Sequence, residues 1–102
     1  MPTYFKVKKY DDFLDMARYK DISIAKAIVD AILTNLETKK RHIHVFEIEV
    51  EEEESVYDLT IDRNNFIDAL EKNLTHYEKE ELYEECAKII DAIKFLKNKV
   101  NG

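Results

Sequence analysis

The chain has 102 residues, 45% of them hydrophobic and 37% charged, with a formal net charge of −6. That length suits one domain over residues 1–102 with a modest core, and not two. With no glycine before Gly102, one proline (Pro2) and one cysteine (Cys86), it excludes a glycine-rich phosphate cradle, an intrachain disulfide and a cysteine-based zinc knuckle.

Residues 3–9 predict a short strand with Phe5 and Val7 on one face. Asp11 and Asp12 stand at a helix N-terminus ahead of Phe13, Leu14, Met16 and Ala17, and that helix is expected to end near Tyr19 and Lys20. Asp21 or Ser23 caps the next helix, residues 23–38. Ile24, Ile28, Ile32 and Leu36 form one apolar row there, and Ala25, Val29 and Leu33 a second. Two rows are more than a one-sided surface helix needs. This is the central helix, either enclosed in the domain or shared with a partner chain, with Val29, Leu33 and Leu36 as its candidate apolar interface.

Residues 42–50 and 56–62 both alternate. An antiparallel hairpin pairing Phe46 with Ile61, Ile48 with Leu59 and Val50 with Tyr57 puts all six on one side, linked by Glu52–Ser55. The other face then opposes Glu49 to Asp58, a like-charge pair that needs solvent or a neutralising partner.

Asp62 is an N-cap for a helix from Arg63, with Phe66, Leu70, Leu74 and Tyr77 as its apolar stripe. The stripe does not continue through Glu81, Glu84 and Lys88. It restarts at Leu82, Tyr83, Cys86, Ile89, Ile90, Ile93, Leu96 and Val100, which predicts a turn near Lys79–Glu81. The last helix opens with glutamates and closes with lysines, as its dipole prefers. The fold class expected is α+β: an antiparallel β-hairpin packed on a central helix, followed by a C-terminal antiparallel helical hairpin. Residues 3–9 are available as a third strand, in cis or from a second chain, because two strands alone are marginal in water.

The stretch Leu70–Leu96 resembles the UVR motif, a helical hairpin of nucleotide-excision-repair subunits and some chaperone adaptors. Leu70, Glu71 and Leu74 match its opening, Tyr83 and Glu84 its aromatic-acid step, Cys86 and Ala87 its small pair, and Asp91, Ile93 and Leu96 its close. Tyr77-Glu78, Glu81 and Ile90 depart from the pattern. The resemblance implies a hairpin that pairs with another helical hairpin on a partner protein, and it carries no catalytic residue.

Charge is segregated. Residues 1–46 carry nine basic and six acidic residues, and residues 47–102 carry seven and sixteen. Overall acidity argues against direct binding to a nucleic-acid backbone. Glu47, Glu49, Glu51, Glu52, Glu53, Glu54 and Asp58 form a candidate acidic binding face. His42 and His44 have the spacing of two metal ligands on one strand face, with Asp62 in reach, but two imidazoles at a strand end are more simply bonded to water, and no metal or other cofactor is assigned. Cys86 lies on an apolar stripe without a histidine at nucleophile-pair spacing, so it reads as a structural thiol. Tyr4, Tyr10 and Tyr19 have no place in the core stripes and mark a contact surface.

With no catalytic constellation, the expected function is non-enzymatic: a protein-protein interaction, adaptor or regulatory protein that self-associates as a homodimer. Its composition is similar to that of small accessory proteins of phages and mobile elements. The alternative is an acidic, nucleic-acid-mimicking inhibitor that blocks a basic groove. No apolar run nears the ~20 residues of a bilayer span, and no apolar leader is visible, so a cytoplasmic location is expected.

Overall fold

A computed structural model describes residues 3–18 and 21–101, without the side chains of residues 100 and 101. Tyr19, Lys20 and the Val100 side chain, which the sequence analysis singles out, lie outside the described residues. The chain is α+β, in the order β1 (Thr3–Val7), α1 (Tyr10–Arg18), α2 (Ile22–Thr34), β2 (His42–Val50), β3 (Ser55–Asp62), α3 (Phe66–Lys79) and α4 (Tyr83–Asn101). Short 3-10 turns at Glu51–Glu53 and Arg63–Asn65 lead out of β2 and into α3. No described helix is long and apolar enough to cross a membrane.

The sheet is mixed, with order β1-β2-β3. The N-terminal strand joins in cis and runs parallel to β2, with Thr3 opposite Phe46 and Val7 opposite Val50. The β2–β3 register lies two residues from the expected one: Phe46 faces Leu59, Ile48 faces Tyr57 and Val50 faces Ser55. The chain reverses through Glu51–Glu54, one residue earlier than the expected link, with Glu54 in the left-handed region at φ 52°. An even shift leaves the faces unchanged, so Phe46, Ile48 and Val50 still point into the core. The Glu49–Asp58 pairing is corrected by the same shift: Asp58 faces Glu47, and Glu49 faces Val56.

A second departure lies inside β2. The register slips between His44 and Phe46, so Val45 is an extra residue in the strand. Val45 and Phe46 are both buried, and the alternation changes phase across them. Ile43 thereby joins the apolar face, while His42, His44, Glu47 and Glu49 share the solvent face. A β-bulge has this effect, re-aiming side chains by one position.

Asp21 caps α2 through Oδ1, accepting from Ser23 N at 2.9 Å and Ser23 Oγ at 2.6 Å. These bonds hold its carboxyl below the usual carboxylate range. The helix stops at Thr34, four residues before its expected end, where Asn35 leaves helical geometry and its side-chain amide donates to Ala31 O. α2 contacts β2, α3 and α4, and buries Ala25, Ala27, Val29 and Ile32. Its broad apolar surface is used largely within the chain. α1 buries no residue outright; Phe13 reaches Phe5 and Phe46, and Tyr10 meets Tyr57 in a tilted contact with ring centroids 5.3 Å apart.

Asp62 caps the 3-10 turn instead of the helix itself, accepting from Asn64 N at 2.8 Å, and α3 starts at Phe66. The α3–α4 turn falls where the stripe breaks. Leu82 N donates to Tyr77 O and Glu81 N to Glu78 O, with Glu81 left-handed at φ 57°. This is a Schellman closure with glutamate in the position glycine usually takes. The two helices pack as a hairpin through Leu70, Tyr77, Cys86, Ile89, Ile93 and Leu96, with Lys97 and Glu71 3.9 Å apart across it. Burial, followed by the nearby Glu78 and Glu85 charges, pushes the Cys86 thiol up.

Arg63 ties these parts together. Its Nε donates to Lys40 O at 2.7 Å, and its terminal nitrogens donate to Asn35 O at 3.0 Å, Thr38 Oγ1 at 2.9 Å and Leu36 O at 3.3 Å. Its backbone N donates to Arg41 O, and its guanidinium lies 4.8 Å from the centre of the Phe66 ring. Arg63→Ala is expected to cost about 2–4 kcal/mol in urea unfolding, because half-buried carbonyls lose a charged donor. Arg63→Lys recovers only a minor part of that, since an ammonium cannot present the planar fork.

Burial raises the Tyr77 hydroxyl from 10.0 to about 12. A raised phenol contributes stability that is intact below pH 10 and is lost as pH rises from there through about 12. The unfolding free energy from urea titration is expected to fall further over that interval for the wild-type chain than for Tyr77→Phe, by at most about 2 kcal/mol.

Candidate functional site

The solvent face of the sheet gathers charged and polar side chains from all three strands. Strand alternation sets the residues: Tyr4 and Lys6 from β1, His44, Glu47 and Glu49 from β2, and Val56, Asp58 and Thr60 from β3. Among the described residues no helix layer covers it, and Tyr4, Val56 and Asp58 stand well into solvent.

The acidic face is internally compensated in two places. On the β1 side, Tyr4 Oη donates to Glu49, and Lys6 Nζ lies 3.5 Å from both Glu49 and Glu51. The Tyr4 bond, followed by the Lys6 charge, outweighs partial burial and holds the Glu49 carboxyl below the usual carboxylate range; Glu49 and Glu51 hold the Lys6 ammonium above its own. On the β3 side, His44 Nε2 lies 3.3 Å from Asp58 Oδ1 and 4.0 Å from Glu47 Oε1. One ligand atom from each of the three residues falls within 4.8 Å of the other two. No Lys or Arg among the described residues is within 4 Å of either carboxylate.

The remaining glutamates leave the sheet face for the hairpin tip. Glu51–Glu53 occupy the 3-10 turn and Glu54 closes it. Glu53 accepts from Tyr57 Oη at 2.7 Å, and Glu52 N donates to Lys8 O. The seven acidic residues expected to act as one face are thus three on the sheet and four at the tip.

The histidine pair divides as well. His42 Nδ1 lies 3.4 Å from Asp62 Oδ2, which Arg41 also approaches, while His44 turns to Asp58 and Glu47. The approach of Asp62 is as the sequence suggests. The convergence of Glu47 with His44 is not, since residues three apart in a regular strand point to opposite faces. The sequence does carry a signal for it: Val45-Phe46 puts two apolar residues side by side in an otherwise alternating strand.

Of the candidate apolar interface, Val29 is 1% exposed and belongs to the core of this chain, so it is not available to a second one. Leu33 and Leu36 line a groove of about 790 Å³ between the end of α2 and α4, together with Ala92 and Phe95. Tyr4 and Tyr10, unplaced by the core stripes, bond within the chain to Glu49 and against Phe13 and Tyr57.

No protein-family model matches the chain, and comparison with curated proteins and with solved structures finds no significant match.

Lys6 is the main cation on the β1 side of this face. Lys6→Gln is expected to lower the thermal midpoint slightly in dilute buffer, and raising the salt concentration closes the gap to wild type, because the pairs are exposed and screened.

Proposed function

We propose that the protein is a non-enzymatic interaction module that self-associates, with the groove between α2 and α4 as its contact surface. The groove carries the reading. Its floor is apolar, from Leu33, Leu36, Ala92 and Phe95, and its rim is charged with both signs, from Glu37, Lys88 and Asp91. A two-fold interface has to be self-complementary, and a surface that carries both signs beside apolar side chains is compatible with that requirement. The opposite flank of α4 leaves Tyr83 and Ile90 exposed at 66% and 41%, an apolar area separate from the groove. Pairing through that hairpin is also what the UVR resemblance implies.

The alternative, an acidic inhibitor that mimics nucleic acid, draws less support. Glu49 and Glu51 are engaged by Lys6, Glu53 by Tyr57, and Asp58 by His44, so the acidic residues do not form one uncompensated strip.

Sedimentation velocity at micromolar concentration is expected to show a dimer that Leu36→Glu or Phe95→Glu converts to monomer. Reversal of Glu51–Glu54 to Lys leaves the dimer unchanged. A monomer for the unaltered chain, or a dimer indifferent to both groove substitutions, overturns the reading.

A further inference from the structure

We infer that His44, Glu47 and Asp58 form a binding site for a divalent transition-metal ion on the solvent face of the sheet. The inference is independent of self-association, since the groove lies among the helices and this face does not.

The donor set is the first argument. It comprises one imidazole and two carboxylates, which suit borderline first-row ions such as zinc better than calcium or magnesium, whose ligands are all oxygen. Ligands about 2.0–2.2 Å from a tetrahedral zinc are themselves separated by roughly 3.3–3.6 Å. His44 Nε2 and Asp58 Oδ1 are 3.3 Å apart, and Glu47 Oε1 is 4.0 Å from the same nitrogen. Small side-chain rotations bring all three to one ion, leaving a fourth position open to water.

The backbone is the second argument. Glu47 and Asp58 are direct register partners, and His44 sits two pairs along the same strand pair, opposite Thr60. His44 and Glu47 share a face because Val45 is bulged. The irregularity that removes Ile43 from solvent also assembles the three donors, on paired strands rather than on a mobile loop.

Charge is the third. Two carboxylates face each other, and His44 is the only basic side chain in the described structure within 4 Å of either. Glu49, by contrast, has Lys6. A divalent cation supplies the charge that the β3 side of the face lacks.

The test uses the full chain stripped with chelator, titrated with zinc by calorimetry and with cobalt by visible absorption. One zinc per chain is expected, together with a cobalt d–d band of reduced coordination number and a rise in the thermal midpoint with zinc, because the ion links β2 to β3. Loss of an outer-sphere partner costs metal sites about 10–100-fold in affinity, so removal of a ligand by His44→Ala or Asp58→Asn is expected to cost at least that. His42→Ala leaves affinity unchanged. Far-UV circular dichroism verifies that each variant is folded, and Glu47→Gln serves as the replacement if one is not. Failure of the unaltered chain to bind zinc overturns the assignment. So does undiminished binding by folded His44→Ala, which makes His44 an ion-pair partner of the two carboxylates only. Equal weakening by His42→Ala also overturns it, in favour of the paired imidazoles.

Discussion

The guanidinium of Arg63 is the point at which the separate parts of this fold are held to one another. α2 ends early, and the segment after it turns its carbonyls at residues 35, 36 and 40 toward one place. A helix C-terminus and the loop beyond it present unpaired carbonyls that need donors. Arg63 brings them from the 3-10 turn between β3 and α3, while its backbone N–H closes on Arg41 at the start of β2. The end of α2, the start of β2, the end of β3 and the start of α3 are thereby fixed relative to one another. Those hydrogen bonds help to offset the conformational entropy lost when the four segments are ordered. The positive charge also sits at the negative end of α2, where it is favourable.

With that junction in place, the two faces of the sheet diverge in character. One receives α1 through Phe5, Phe13 and Phe46, and α2 packs against β2. The other keeps its charges in water and balances them unequally. Lys6 and Tyr4 serve the β1 side, and a single imidazole serves the β3 side. This asymmetry follows from one inserted residue, Val45, which moves His42 and His44 onto the same face as Glu47 and Glu49.

Periodic features were legible from the residues. The span 42–50 reads directly as a strand, and the phase break after Tyr77 places the α3–α4 turn, because burial imposes a period on each element. Asp21 and Asp62 announce caps, although Asp62 caps a 3-10 turn. Three things were less accessible. The hairpin register depends on the turn conformation at Glu51–Glu54, and four consecutive glutamates carry no glycine or asparagine to specify it. The role of Arg63 depends on loops remote in sequence meeting in space. The broad stripe of α2 has two physical solutions, a partner chain or a surrounding fold; for Val29 the structure takes the second, while Leu33 and Leu36 remain at a groove.

Glu54 and Glu81 occupy backbone conformations in which a side chain is disfavoured. Glycine at either place would relieve the crowding, yet it would also give the denatured chain more freedom to surrender on folding. A polypeptide with glycine only at its last position begins from a comparatively stiff denatured ensemble. Some of this small domain's resistance to unfolding therefore resides in what its disordered form is unable to do, and no inventory of native contacts will find it there.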